Sequence, residues 1–212
     1  MHLESKYLIR WGIPGWIVIF YGAVLNRLLA YKPITYNNVP PQEVIVALLT
    51  AVSIGVIAGY LVHQIYFAMD WILLNRSRQV SEEILSELSA VGIAIEEDAI
   101  ERKYFQIEYM WQSALANVKE KHKMDYLAER YAYLLTRTHE LGILQLSLII
   151  CLAISCYYLF AGTNVVIAFL FLLANVITCF LVTRSKTYYS KNAQYFMTNV
   201  LKDLLHEQRS SS

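Results

Sequence analysis

Two stretches of this chain carry no formal charge. Residues 141–183, 43 in all, contain no Asp, Glu, Lys or Arg, and the 26 residues 44–69 contain none either. Over the 212 residues, charged side chains make up only 17% and hydrophobic ones 57%, against about 25% and roughly 45–50% in soluble domains. A helix that crosses a bilayer needs about 20 mainly apolar residues. The longer stretch therefore holds two spans and the shorter holds one. Cysteine is scarce as well. Cys151, Cys156 and Cys179 all lie inside the longer stretch, as small membrane-buried side chains and not as a disulfide framework or metal set.

Motifs that would name a chemistry are also missing. There is no Walker A loop, no dinucleotide glycine fingerprint, no G-x-S-x-G elbow and no paired-aspartate signature of membrane prenyl or alcohol-phosphate transferases. His122 lies in a lysine run and His139 beside Glu140, neither with a partner at metal-ligand spacing. Glu96, Glu97, Asp98 and Glu101 could gather a divalent cation, but a helix start stabilised by its dipole explains them equally well. The expectation is a protein that is not an enzyme and carries no cofactor or metal. A net charge of +1, with thirteen acidic against nine basic residues in 70–140, argues against a nucleic-acid partner.

What is present is a run of apolar segments with basic ends. Lys6 and Arg10 precede the apolar run 11–25, which is also how a secretory signal begins. Asn26 and Arg27 occupy the place of a small-residue cleavage site, and Pro14 falls in the expected opening turn, so the run reads as a fourth span. The chain is then an all-α polytopic membrane protein with four transmembrane helices. Residues 1–69 form an N-terminal membrane hairpin with spans about 11–31 and 44–66, and residues 141–183 a second hairpin with spans about 141–161 and 164–183. Residues 70–140 and the tail 184–212 are expected to build a helical bundle in the cytoplasm. With the N-terminus inside, sixteen Lys or Arg lie on the inner side and only Arg27 and Lys32 outside. Cytoplasmic enrichment of basic residues therefore puts both termini in the cytoplasm, of an inner or plasma membrane if the cell is prokaryotic.

Helical periodicity runs beyond the apolar stretches. Ser81 with Glu82 and Glu83 reads as the start of a short helix that Gly92 can stop. Glu96, Glu97 and Asp98 open a longer one with Ile100, Tyr104, Ile107, Trp111, Leu115 and Val118 on one face. After the charged break 119–123, Leu127, Tyr131, Leu134, Thr138 and Leu141 carry that spacing into the third span. In the tail, Tyr189, Ala193, Phe196, Val200 and Leu204 repeat it. This order of elements is similar to that of proton-driven motor stators, in topology alone. The stators' glycine- and threonine-rich hairpin pattern is missing, and the resemblance implies no ion-driven work.

The residues with most to say lie inside the apolar stretches. Ala47, Ala51, Gly55 and Gly59 recur every four residues and make a groove of small side chains along the second span. Such grooves let helix backbones approach closely in lipid, either within one chain or between copies. Ser147, Cys151 and Ser155 make a weaker groove on the third span. Asn175 is the one strongly polar residue at mid-depth of the fourth span, placed either to bond across helices or to face a water-filled path. His63 falls near the cytoplasmic end of the second span and reads as an interfacial histidine. Together these features suggest a homo-oligomer in the lipid bilayer that forms or gates a pore under control of its cytoplasmic bundle, with a small-molecule or protein trigger. The competing expectation is a non-conducting scaffold that recruits a cytoplasmic protein partner. Exposed apolar surface on the bundle would favour the scaffold, and a polar stripe facing a symmetry axis would favour the pore.

Overall fold

The computed structural model of the chain describes residues 5–29, 40–70, 76–90, 92, 103–161 and 164–211. These residues form six helices: α1 Ser5–Leu29, α2 Pro41–Ala68, α3 Arg76–Ala90, α4 Lys103–Ala116, α5 Lys121–Phe160 and α6 Val165–Ser211. No strand occurs among the described residues. Four of the helices, α1, α2, α5 and α6, are long and apolar enough to cross a membrane. At 1.5 Å per residue, α5 and α6 run about 60 and about 70 Å, roughly twice the hydrocarbon thickness of a bilayer.

Several helix bounds differ from those the sequence suggests. Helix α1 begins at Ser5 and not near Trp11, so Pro14 is interior rather than in the first turn. A helix need not stop where its apolar run stops, and residues 5–10 contain nothing that breaks one. The consequence is a carbonyl at residue 10 without its intrahelical donor, since Pro14 has no N–H. Helix α3 starts at Arg76, which makes Ser81 a buried interior residue and not a cap. Its end is as the glycine suggests: Gly92 adopts φ 77° and its N–H bonds the Ser89 carbonyl at 2.9 Å. The acidic opening at 96–98, with Ile100 and Glu101, lies outside the described residues, as do Lys32 and Asn37 in the connection between α1 and α2.

The chain forms two compact units, residues 1–66 with 140–185 and residues 67–139 with 186–212. In the first, Leu25 and Leu29 of α1 pack with Ala168 of α6, and Tyr21, Ile154, Tyr158 and Phe171 close around them. Most apolar side chains of this unit face outward. Only 11% of the apolar window of α6 and 17% of that of α2 is buried. Ile45, Leu49, Ile57 and Leu61 on α2, and Phe169, Leu173, Ile177 and Phe180 on α6, stand exposed. Apolar surface of this extent marks helices whose neighbour is not water.

The second unit has an ordinary hydrophobic core. Ile84, Leu85 and Leu88 of α3, Ile107, Trp111, Ala114 and Leu115 of α4, Leu127 of α5 and Met197, Leu201 and Leu204 of α6 are buried together. Trp111 is its hub, tilted against Tyr131 at 4.9 Å and edge-on to Phe196 at 6.5 Å. Burial beside Tyr104 and Glu108 pushes the Tyr131 hydroxyl up to about 12. At the rim, Lys202 pairs with Glu87 at 2.9 Å and Gln194 donates to Glu83 at 2.5 Å, joining α3 to α6. These partly exposed contacts set register more than stability. Asp70 and Lys186 face each other at 3.9 Å with little exposure. Because Leu201 is fully buried, Leu201→Ala should cost about 2–5 kcal/mol. Protease digestion of the detergent-solubilised protein should then cleave within 186–212, and Tyr195→Ala on the exposed side should leave digestion unchanged.

Candidate functional site

The small-residue groove of α2 is occupied by α1 of the same chain. Gly15 lies on the backbone of Gly55 and Gly59, so closely that a Cβ there would drive into the Gly55 carbonyl and the Gly59 amide nitrogen. The next residue, Trp16, lays its indole over Gly55 and donates Nε1–H to the Val52 carbonyl at 3.0 Å. Gly55 and Gly59 are buried and Ala51 is half-buried, while Ala47 lies in α2 with its side chain outside the described residues. Packing within one chain and contact between copies are the two readings of this groove, and here Gly55 and Gly59 meet α1 of the same chain. Sequence reasoning does not single out Gly15 as the residue that fills this groove; of residues 12–15 it reads Pro14 alone, as part of an opening turn.

The second groove, on α5, is a polar seam inside the chain. Ser147, Cys151 and Ser155 are fully buried. The hydroxyls of Ser155 and Tyr21 lie 2.5 Å apart, with the Cys151 carbonyl 3.0 Å from one and the Phe171 carbonyl 3.2 Å from the other. Two hydroxyl protons are shared among three contacts that tie α1, α5 and α6 together. Ser147 bonds back to the Ile143 carbonyl at 3.2 Å. Near the turn between α5 and α6, Tyr158 donates to the Asn26 amide oxygen at 3.0 Å, and at the other end Gln145 donates to Thr183 at 3.0 Å. Tyr66 of α2 packs its ring onto Gly142 of α5, where the missing side chain makes room. Tyr21 gave no warning in sequence, because a lone tyrosine in an apolar run also suits an interface belt.

Asn175 faces its own chain. It is 4% exposed and donates Nδ2–H to the Leu148 carbonyl of α5 at 3.3 Å, while its Oδ1 is sealed without a hydrogen-bond partner. His63 is half-buried on α2. Among the described residues, no three His, Cys, Asp or Glu side chains gather at metal-binding distance.

The outward chemistry lies in the second unit. Phe105 and Tyr109 of α4, one helical turn apart, are 62% and 74% exposed, and Tyr195 of α6 is 73% exposed. Tyr126 stands out from α5 and Tyr188 from α6. Tyr133 of α5 carries Arg130 and Arg137 within 6 Å of its ring, at 5.7 and 5.5 Å from the centroid. Hydrogen bonds from Arg137 and Tyr189, with the charge of both arginines, hold the Tyr133 hydroxyl below the usual phenol range. The same bond to Tyr133 raises Tyr189. Comparison with known proteins adds nothing to this geometry: the chain matches no family model, no curated protein and no solved structure.

Two substitutions test the packing. Gly15→Ala should force α1 and α2 apart, at a cost of about 1–3 kcal/mol or more because backbone and not a flexible side chain is in the way. Gly22→Ala is the control, since a Cβ there would meet only Ile154 at ordinary contact distance, 3.9 Å. The thermal midpoint of the protein in detergent should fall for the first and hold for the second. Asn175→Leu removes one interhelical bond and one unsatisfied oxygen together, so the same midpoint should move by no more than about 1 kcal/mol equivalent.

Proposed function

We propose that this chain is a non-conducting membrane scaffold, anchored by its four apolar helices and presenting the helical unit 67–139 with 186–212 to a cytoplasmic protein partner. The observation that carries this reading is the exposed aromatic surface on that unit, with Phe105 and Tyr109 on one helical face and Tyr195 on another element. Aromatic side chains bury large area at low entropic cost, and they concentrate at protein interfaces. Exposed Glu108, beside this pair on α4, suits a partner that edges its apolar side chains with Lys or Arg.

The features that had suggested a pore are spent inside the chain. Asn175 bonds α5, and the groove of α2 receives Gly15 and Trp16. The outward faces of α2 and α6 carry few polar groups, and the hydroxyls of Thr50, Ser53 and Thr178 are returned to carbonyls four residues back on their own helices. A stripe of that kind offers little to water in a channel. The basic asymmetry, sixteen Lys or Arg against two, supports placing both termini and the helical unit in the cytoplasm.

The experiment joins two readings. Purified chain in dye-loaded vesicles should leave them tight, and a photo-crosslinking amino acid at position 109 should give one discrete adduct in native membranes. The same amino acid at position 132, exposed on α5, should give none, and Phe105→Ser should abolish the adduct at 109. Reproducible leak, blocked by an outward substitution such as Ile177→Trp, would return the reading to a pore.

A further inference from the structure

One cluster of the helical unit joins positive charge to aromatic rings. On α5, Arg130, Tyr133 and Arg137 follow at spacings of three and four and so share a face. Both guanidinium groups lie on the same Tyr133 ring. From α6, the Tyr189 ring meets Tyr133 edge-on at 6.5 Å, and Tyr188 stands against Tyr189 at 5.4 Å. Both arginines are exposed, and Tyr188 is 65% exposed. Carboxylates flank this face on α5: exposed Glu129 is adjacent to Arg130, and half-buried Glu140 lies three residues beyond Arg137. Two guanidinium groups brought to one ring are placed to meet a single anion together.

Position says which anion. Along the unbroken helix α5, Arg137 precedes the charge-free stretch by four residues, about 6 Å of helix axis. On α6, Tyr188 and Tyr189 follow the end of that stretch by five and six residues. If residues 141–183 lie in hydrocarbon, both sets fall at the depth of the headgroups, where tyrosine concentrates. Guanidinium pairs with phosphate through two parallel hydrogen bonds, which lysine does not reproduce.

We infer that the face formed by Arg130, Tyr133 and Arg137, with Tyr188 and Tyr189 from α6, binds the headgroup phosphate of an anionic lipid. The inference rests on the membrane reading of the charge-free stretches and not on the identity of any protein partner. It gives the helical unit a fixed attachment to the bilayer surface beyond the helices themselves.

The test uses the full chain in nanodiscs of mixed phosphatidylcholine and phosphatidylglycerol, followed by extraction into detergent and measurement of the two lipids retained. The wild type should keep phosphatidylglycerol preferentially. A basic residue near an anionic surface is worth about fivefold in binding, so Arg130→Gln with Arg137→Gln should lower the ratio at least about fivefold. Lys119→Gln with Lys121→Gln removes equal charge elsewhere and should leave the ratio intact. Arg130→Lys with Arg137→Lys keeps charge and fold and should fall part-way. No preference in the wild type, an equal loss in the control pair, or full retention by the lysine pair would each overturn the inference. Millimolar inorganic phosphate should not displace the lipid; displacement would make this a site for soluble phosphate instead. A chain that fails to enter nanodiscs at all would sink the membrane reading, an outcome distinct from entry without lipid preference.

Discussion

Exclusion of charge from residues 44–69 and 141–183 is the constraint on which the rest of the structure depends. Helices built from such residues expose apolar side chains on most of their circumference, and only surroundings without water tolerate that. In those surroundings backbone polar groups must be satisfied within the protein, and polar side chains gain by turning to protein partners too. The consequence is visible along α5 and α6. Ser147 and Ser155 return to carbonyls of their own helix, Tyr21 reaches across to Ser155 and Phe171, and Asn175 reaches Leu148.

The same constraint removes the usual force between helices. In a bilayer, whose tails are as apolar as leucine, close contact is what would remain to hold α1 to α2. Three glycines, Gly15, Gly55 and Gly59, allow backbone to meet backbone there, and Trp16 covers the seam with a hydrogen bond to Val52. The second unit is held differently. Leu88, Trp111, Leu134 and Leu201 are withdrawn from water as in a soluble bundle. Two stabilising principles thus operate along single unbroken helices, α5 and α6, each of which contributes residues to both units.

A scaffold reading follows from where chemistry is left over. Tyr21, Ser155 and Asn175 of the first unit are engaged in contacts between its helices, while the second unit presents aromatic and basic side chains outward. Exposed rings of tyrosine keep a polar tip in water while offering an apolar body.

The helical class, the four apolar helices and much of the core face of α4 are legible from residue order alone. Spacing of three and four put Ile107, Trp111 and Leu115 on one side, and all three are buried. That much is legible because helix period and hydropathy are local properties. The tail shows where legibility ends. From Ala193 the stripe can continue through Phe196 and Val200 or through Met197 and Leu201, and both are valid helical progressions. Met197 and Leu201 are the buried pair, with Phe196 and Val200 only half-buried. Rotation of a helix about its axis is set by the neighbours it packs against, and sequence spacing does not contain them. For the same reason the partner of the α2 groove, and the direction in which Asn175 points, were decided only by the tertiary structure. A small-residue face or a lone amide records that a close contact is needed, and the helix that supplies it is fixed by how the whole chain packs.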